Sequence, residues 1–475
     1  MSFQSDISEI IRFIECGIDT PLSEDFKDCM NRFTEAAGDT FLNDRAEQII
    51  SAISSDIELR NAFFKLASNC SDSYCHDCPV KKYCNHYINN ARAAVDPNAL
   101  QMVDLFCGAG GLSLGFTQEG FITALANDIE ACCVDTYAHN HPETPRDHIV
   151  LGDIRELVNS IESYLRGIKV DVVVGGPPCQ GFSMANRQRL IDDPRNYLYK
   201  SYVEAVNRIR PPFFVMENVK GMLSVAAQVL EDFEAIGYKS SFRVLNAKDY
   251  GVPQNRERLI YIGNNVGADN DEIFARIQAL SASIPNHVLK DALYGLRPLH
   301  ASREKNTTDI GTEASGYIIE RAQAIQENDY IAFINQNRSF PLVLNHKARY
   351  NNDRDIEIFG RLNQGDRSDD PKIADIMPYV RRNGIFKDKY FKLEEQKVCK
   401  TITAHMKFDC NMYIHPTQAR GLTPREAARV QSYPDDYFFR GAYTKTYLQI
   451  GNSVPPLLGR AIASVIKLYI GEYAR

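Results

Sequence analysis

Short apolar runs rich in β-branched and aromatic residues alternate with longer, more polar segments between residues 102 and 263. Runs of this kind are typical of strands, and strands that alternate with helical segments predict a parallel sheet covered by helices on both faces. We therefore predict an α/β fold with a doubly wound, mostly parallel sheet. The seven runs are residues 102–106, 122–126, 148–151, 171–174, 213–216, 242–245 and 259–262.

The alternation is bounded by breaks that predict a domain organisation. Residues 94–98 contain Pro and Asn, which favour a boundary before the first run. From 276 onward, polar and Asn-rich stretches predict an inserted, less regular domain, and the capping box Thr423-Pro424-Arg425-Glu426 marks the return of regular structure. The predicted parts are an N-terminal acidic helical segment over 1–98, the α/β domain over 99–275, the inserted domain over 276–418 and a return to the α/β domain over 419–475.

The net charge of −7 is concentrated at one end of the chain. Residues 1–98 contain 16 acidic and 9 basic side chains, and the remainder contains 45 of each. Within that neutral remainder, residues 381–407 contain eight basic side chains against three acidic ones. Such a local excess of positive charge predicts contact with phosphates, the alternative being a solvated charged face.

The distribution of apolar residues gives no sign of export or of membrane insertion. No run approaches the roughly 20 apolar residues of a membrane span, and the N-terminus lacks the features of a signal peptide. We expect a cytoplasmic protein without a membrane partner, nucleoid-associated in a bacterium. Its twelve cysteines are then expected to be reduced, metal-bound or catalytic rather than disulfide-bonded.

Four of these thiols fall within fifteen residues, at Cys70, Cys75, Cys78 and Cys84. Zinc sites more often pair two CxxC knuckles across a longer loop, whereas a compact four-cysteine loop favours a [4Fe-4S] cluster. The spacing resembles the cluster loop of endonuclease III-like glycosylases, although the first gap here is four residues rather than six. We predict a metal site with a structural role, either this cluster or zinc, against the alternative of four unrelated thiols.

Cys179 lies on a stiff turn, Gly175-Gly176-Pro177-Pro178-Cys179, directly after the apolar run 171–174. In an open α/β sheet, ligands bind outside the carboxyl ends of the strands, so a thiol at this point faces a crevice. The sequence therefore indicates a nucleophile, the alternative being a buried structural cysteine.

A glycine-rich turn follows the first run, in Asp104-Leu105-Phe106-Cys107-Gly108-Ala109-Gly110-Gly111-Leu112. Such a turn before a helix offers backbone N–H groups to a polar or anionic ligand. The spacing is not G-x-G-x-x-G, which disfavours NAD. Asp128, about 20 residues further on, can accept ribose hydroxyls. Asp153 follows the third run, and either Asp is alternatively a helix N-cap.

These two stretches are followed by further blocks in a characteristic order, and together the six resemble the DNA (cytosine-5) methyltransferases, which use S-adenosylmethionine. The resemblance extends from about residue 102 to the C-terminus, and it implies a catalytic methyltransferase domain over 99–275 and a target-recognition domain over 276–418. The blocks are Asp104–Phe116, Gly175–Ser183, Glu217–Val219, Gln254–Arg258, Arg420–Arg429 and Gly451–Pro455.

The resemblance implies covalent catalysis, because carbon 5 of cytosine is a feeble nucleophile until a thiolate adds to carbon 6. Cys179 is implied as that nucleophile. Glu217 is implied to protonate or hydrogen-bond nitrogen 3 and the exocyclic amine, and a confined pocket would raise its pKa for this task. By the same resemblance Arg258 contacts the cytosine oxygen and Arg256 supports the active-site loop.

For the cofactor, the resemblance implies that Phe106 stacks near the adenine, Asp128 holds the ribose hydroxyls and Asp153 accepts the adenine amino group. The full set of implied cofactor-binding residues is Phe106, Gly108, Gly110, Gly111, Leu112, Asp128, Ile129, Asp153, Ile154, Pro178, Asn452 and Ser453.

The implied partner is double-stranded DNA. Cytosine carbons 5 and 6 are inaccessible in a stacked duplex, so the mechanism requires base flipping, and residues 180–196 have the composition of a mobile lid. Sequence choice is expected from the inserted domain, particularly the basic stretch from 381 and residues 399–405. A cognate restriction endonuclease and a monomeric state on DNA are further expectations. The alternatives are a tRNA methyltransferase of the same fold and a catalytically silent DNA-binding protein.

Overall fold

The computed structural model describes residues 98–178, 198–305, 311–321, 328–336, 342–378 and 387–474. The strands are β1 Leu100–Leu105, β2 Phe121–Asp128, β3 Ile149–Leu151, β4 Val172–Gly175, β5 Phe213–Asn218, β6 Lys239–Asn246, β7 Glu257–Asn264, β8 Ile319–Arg321 and β9 Leu342–Leu344. The helices are α1 Gly111–Gln118, α2 Ala131–Asn140, α3 Ile154–Leu157, α4 Ile161–Tyr164, α5 Leu198–Ile209, α6 Ala226–Ala235, α7 Asn270–Leu280, α8 Leu289–Leu293, α9 Asp329–Ile334, α10 Asp353–Arg361, α11 Pro424–Val430, α12 Tyr443–Asn452 and α13 Pro456–Tyr473.

The first seven strands form one sheet in the order β3-β2-β1-β4-β5-β7-β6. The pairs among β1 to β5 are parallel, and β7 pairs antiparallel with both β5 and β6. The strand order reverses between β1 and β4, which places a crevice outside their carboxyl ends. The predicted doubly wound α/β fold is thus confirmed, and each of the seven apolar runs contributes to one strand.

The central strands are apolar on both faces because helices cover both sides of the sheet. In β4, Val172 and Val174 belong to the core beneath α1, α7 and α13, whereas Val173 faces the second core, beneath α3 to α6. All three are fully buried. This is the pattern expected of a strand buried on both faces of a parallel sheet.

The capping box at the start of α11 forms as its sequence predicts. The Thr423 hydroxyl accepts from the Glu426 backbone N–H, and the Glu426 carboxylate accepts from the Thr423 N–H at 2.7 Å. Helices α12 and α13 follow and complete the larger core. The segment Tyr443–Tyr473 is long and apolar enough to cross a membrane, the one such segment in the described ranges, but 72% of its apolar window is buried within the protein, as in a core helix.

Residues 281–420, where described, are less regular. They contain the two-stranded sheet β8–β9, short helices and a small separate core around Ile358, Phe359 and Tyr390. Other parts of the region join the main core, because Cys399, Ile402 and their neighbours up to residue 413 pack with α11 to α13. The proposed division at 275 and 418 stays a prediction.

Candidate active site at the carboxyl edge of the sheet

The glycine-rich turn after β1 has the backbone conformation that its glycines permit. Gly108 and Gly110 have positive φ values of 54° and 80°, and Phe106 shares this region with φ 58°. At Gly111 a Cβ would lie 2.3 Å from the Val454 carbonyl oxygen, so only glycine lets the turn approach the segment before α13. A Cβ at Gly108 would meet open space, which leaves room for a ligand above the turn.

Asp128, at the end of β2, secures this turn. One carboxylate oxygen accepts from the Gly108 N–H at 2.8 Å, and the other accepts from the Glu130 N–H at 2.8 Å. Burial raises the pKa of Asp128, although these backbone hydrogen bonds oppose the rise. The side chain predicted to hold ribose hydroxyls thus also joins the carboxyl ends of β1 and β2.

The other predicted cofactor residues lie after β1, β2 and β3, and they differ in how exposed their side chains are. Leu112 and Ile154 are buried, whereas the Ile129 side chain is 67% exposed beside Asp128. Asp153 caps α3 by accepting from the Arg155 N–H, and it also pairs with the Arg155 guanidinium. The alternative N-cap role is therefore present at Asp153, together with an ion pair that the sequence did not predict.

The last block meets the glycine turn from the C-terminal side. The Ser453 hydroxyl hydrogen-bonds the hydroxyl of Tyr433, and Asn452 is exposed at the end of α12. Tyr437 donates to the Ala109 carbonyl within the turn. Tyr433 and Tyr437 were not predicted, because they belong to no glycine-rich or charged motif and only the fold places them behind the turn.

Glu217 and Arg258 form the charged pair of the site. Glu217 lies near the end of β5 and Arg258 near the start of the antiparallel β7, so both reach the same sheet edge. Arg258 Nε lies 2.6 Å from Glu217 Oε1, and both side chains are nearly buried. Burial raises the pKa of Glu217, and the charges of Arg258 and Arg256 only partly offset this. This direction is the one predicted for a residue that must donate a proton.

Arg256 is fully buried and binds backbone oxygens rather than a carboxylate. Its guanidinium donates to the carbonyls of Ile402 at 2.6 Å, Gly451 at 3.0 Å and Ser453 at 2.7 Å. It therefore connects the start of β7 to the segment around residue 402 and to the end of α12. Within the described residues this is a positioning role.

The turn that leads to Cys179 passes directly against Glu217. A Cβ on Gly176 would lie 2.9 Å from Glu217 Oε2, and Asn218 Nδ2 donates to the Pro177 carbonyl at 2.9 Å. Pro178 is the last described residue before the gap, and Cys179 itself lies outside the described residues, as does the predicted lid over 180–196.

Asp104 is a buried carboxyl outside the set of predicted site residues. It lies on β1 just before the turn, 1% exposed, with one oxygen lacking a hydrogen-bond partner. Burial raises its pKa from 3.8 to about 7, and the nearby Asp128 carboxylate adds to the rise although a hydrogen bond with Ser113 opposes it. Its position at the start of the first block was the only sequence signal.

The four cysteines of the predicted metal site, Cys70, Cys75, Cys78 and Cys84, lie outside the described residues. Among the residues that are described, no group of three or more His, Cys, Asp or Glu side chains is placed to hold a metal ion. The metal site stays a prediction.

These features define a ligand crevice at the carboxyl edge of a doubly wound sheet, and the comparisons with known proteins specify the class of protein. A family model for C-5 cytosine-specific DNA methylases matches residues 100–468. The chain belongs to the C-5 cytosine-specific DNA methylase family. It is accordingly a DNA (cytosine-5) methyltransferase, and the cofactor of its family is S-adenosylmethionine.

Two curated relatives are type II methyltransferases. M1.HphI of Haemophilus parahaemolyticus is 37% identical over 388 residues, which cover 79% of this chain and 88% of that protein. M.AgeI of Thalassovita gelatinovora is 32% identical over 435 residues, covering 78% and 100% respectively. A solved structure of a putative DNA modification methyltransferase from an E. coli prophage has a TM-score of 0.61 at 24% identity, and it covers 78% of this chain and all of that one. This last likeness supports the fold.

The crevice fits the family's cofactor. It combines a glycine turn with open space above Gly108, the exposed apolar side chain of Ile129 and the unpartnered oxygen of Asp104. An apolar side chain suits an aromatic base, and a buried carboxyl oxygen without a hydrogen-bond partner is satisfied when a polar ligand binds to it.

Proposed function

We propose that this methyltransferase methylates carbon 5 of a cytosine flipped out of a specific duplex sequence, with Cys179 as the nucleophile and Glu217 as its acid partner. The observation that carries the proposal is the contact between Gly176 and the Glu217 carboxylate, three residues before Cys179. The turn is also held through Pro177 by Asn218, and this hold on the described chain up to Pro178 supports Cys179 as the partner of the acid.

In the proposed reaction, the Cys179 thiolate forms a bond to carbon 6, and electron density moves to carbon 5. S-adenosylmethionine supplies an electrophilic methyl group on a sulfonium centre. Carbon 5 takes the methyl group and the sulfonium electrons return to sulfur, which leaves S-adenosylhomocysteine. Loss of the carbon 5 proton to a base then expels the thiolate and restores the aromatic ring.

Glu217 would hold the proton that compensates charge on the ring during thiolate addition. Its raised pKa keeps a fraction of the carboxyl protonated, as donation to nitrogen 3 requires. Arg258 orients the carboxyl through its 2.6 Å contact, and its remaining N–H groups would reach the cytosine oxygen. We assign Arg256 the positioning of this edge through its three carbonyl contacts.

The cofactor would lie over the glycine turn. Backbone groups of Gly108, Gly110 and Gly111 would face its polar part, and Ile129 and Phe106 would contact the adenine. In this assignment Asp128 serves both the turn and the ribose hydroxyls. Asp153 would need to share its carboxylate between Arg155 and the adenine amino group.

We assign recognition of the duplex to the region within 276–418, and we retain base flipping and closure of residues 180–196 as parts of the proposal. Within 399–405, Cys399 and Ile402 are buried and bonded to residues 253–256, so these two side chains contribute to packing. A cognate endonuclease, a monomeric state on DNA and the N-terminal metal also stay proposals.

The test is transfer of labelled methyl groups from S-adenosylmethionine to mixed-sequence duplex DNA and to tRNA, followed by conversion sequencing. We expect methylcytosine in one fixed DNA context, abolished in Cys179→Ala. The matched control Cys132→Ala removes a half-buried thiol outside the proposed machinery and should retain activity. Transfer to tRNA alone, or full activity of Cys179→Ala, would contradict the proposal.

A further inference from the structure

Two tyrosine hydroxyls lie directly against the glycine-rich turn. Tyr433 and Tyr437 follow α11, and both side chains are buried. A Cβ on Gly110 would lie 2.7 Å from the hydroxyl oxygen of Tyr437, and a Cβ on Gly111 would lie 2.5 Å from that of Tyr433. The absence of side chains at the two glycines therefore makes room for the two phenol groups.

Each hydroxyl holds a different part of the predicted cofactor site. Tyr437 donates to the Ala109 carbonyl in the middle of the turn. Tyr433 hydrogen-bonds the hydroxyl of Ser453, which is one of the predicted cofactor-binding residues. Two phenol groups from one short segment thus reach both the turn after β1 and the residue that follows α12.

The turn needs such contacts because its own backbone is permissive. Gly108 and Gly110 have positive φ values, and glycine adopts these conformations about as readily as the ordinary ones. A shape that the local sequence does not enforce has to be fixed by groups from elsewhere in the fold. Asp128 fixes the Gly108 N–H, and Tyr437 fixes the carbonyl of Ala109, one residue later.

The segment that carries the two tyrosines is itself firmly held. Arg425 is fully buried and donates to the carbonyls of Pro434, at 2.9 Å, and of Tyr437. Arg429 pairs with Asp435 through two hydrogen bonds of 2.6 and 3.0 Å. The two tyrosine rings also pack together, with centroids 4.8 Å apart. The hydroxyls are therefore held in place before any ligand binds, as support of a binding site requires.

We propose that Tyr433 and Tyr437 are positioning residues for S-adenosylmethionine. They act through the Ser453 hydroxyl and the Ala109 peptide, not by contact with the reacting atoms. Without the two hydroxyls, these partner groups would be free to reorient, and part of the binding free energy of the cofactor would be used to order them. The proposal rests on the proposed function, since it places the cofactor over the glycine turn.

The test is calorimetric measurement of Kd for S-adenosylmethionine and S-adenosylhomocysteine, with methyl-transfer kinetics alongside. Tyr437→Phe and Tyr433→Phe remove only the hydroxyls, and each should raise Kd about three- to tenfold, as expected for the loss of one hydrogen bond. KM for S-adenosylmethionine should rise by a similar factor. The kcat at saturating cofactor should stay unchanged, because the lost interaction contributes equally to the ground state and the transition state.

The matched control is Tyr238→Phe, which removes another buried hydroxyl. Tyr238 donates to the Pro211 carbonyl at 2.6 Å, at the amino end of β5 and therefore away from the crevice. This variant should lose a similar amount of stability in urea unfolding, with Kd and KM for the cofactor unchanged. If the Tyr433 and Tyr437 variants bind cofactor like the parent protein, or if all three variants lose affinity equally, the positioning role is wrong.

The two proposals fail separately. A parent protein that transfers methyl groups to tRNA alone would contradict the proposed function, whereas weaker cofactor binding in Tyr437→Phe would still support the positioning role. A parent protein that methylates DNA, with the same cofactor Kd in all three variants, would contradict the positioning role alone.

Discussion

The pairs Glu426–Arg420 and Glu217–Arg258 in the described part of the chain are both buried or nearly so, yet the pKa values of their carboxyls shift in opposite directions. At the start of α11, Glu426 accepts from both terminal nitrogens of Arg420, at 2.8 and 2.7 Å, and from the Thr423 N–H at 2.7 Å. Burial alone would raise the pKa of Glu426, but these contacts and the nearby His415 outweigh it and hold that pKa well below its ordinary range.

At the sheet edge, the Glu217 carboxylate has one close cationic contact among the described residues, to the Nε of Arg258, and burial prevails, so its pKa is raised. The difference lies in the number of donors around each carboxylate. A fully satisfied carboxylate stabilises the fold by staying charged, whereas a carboxylate with fewer donors in a buried site can hold a proton. The first arrangement suits structure and the second suits acid catalysis.

The largest expected effect is a loss of activity when the Glu217–Arg258 pair is changed. Glu217→Gln should lower the methyl-transfer rate about 10²–10⁴-fold, because the variant cannot move a proton. Its free energy of unfolding should fall by less than that of Glu426→Gln, because Glu217 has one close cationic contact among the described residues whereas Glu426 accepts from three donors. Single-turnover kinetics and urea unfolding measure the two effects. The exposed Glu231→Gln on α6 is the matched control, and equal rates in both variants would refute the acid role.

At the Glu426–Arg420 pair, the same substitution should mainly lower stability. Glu426→Gln leaves Arg420 buried without a carboxylate, so we expect a loss of about 3–5 kcal/mol in the free energy of unfolding. The folded-state pKa of Glu426 lies below its ordinary value of 4.5, so its stabilisation is present above that pH and lost below it. The difference between the parent protein and the variant in urea unfolding should therefore narrow as the pH falls below about 4. A constant difference would contradict this account.

Asp104 extends the comparison to a buried carboxyl that has no arginine partner among the described residues. Its pKa is raised from 3.8 to about 7, so the folded protein keeps a proton that the unfolded chain releases. The contribution of Asp104 to the free energy of unfolding should be fully present below pH 3.8. It should be lost as the pH rises to about 7. Relative to Asp104→Asn, the parent protein should lose about 2–4 kcal/mol between pH 4 and 8. If the parent protein and Asp104→Asn show parallel pH profiles of urea unfolding, a cation neutralises Asp104 and this account is wrong.

The smallest effect is expected where a similar ion pair lies at the surface. Lys445 Nζ and Glu130 Oε2 are 2.8 Å apart, but both side chains are nearly half exposed. Solvent screens such a pair, so Lys445→Gln should cost about 0.5 kcal/mol in unfolding experiments, and less at high salt. A loss comparable to that of Glu426→Gln would mean that burial does not explain the contrast.

Much of the fold could be predicted because its signals are local. A strand such as Val172–Gly175 is apolar at successive positions, and Thr423 and Glu426 carry the cap of α11 in their spacing. The sheet-edge location of Glu217 also follows locally, since it comes directly after an apolar run. The sequence could not predict whether Asp153 is a helix N-cap or a cofactor ligand, because a carboxylate before a helix suits both roles.

The sequence by itself determined the α/β class, the order of the six blocks and the residue types available for methyl transfer. Only the tertiary structure decided which charges meet. Arg256 and Arg258 are two residues apart, yet one binds carbonyls as far along the chain as Ser453 and the other pairs with Glu217. The reason is physical: a pKa or an ion pair depends on the donors and the solvent around a group, and residues distant in sequence supply them.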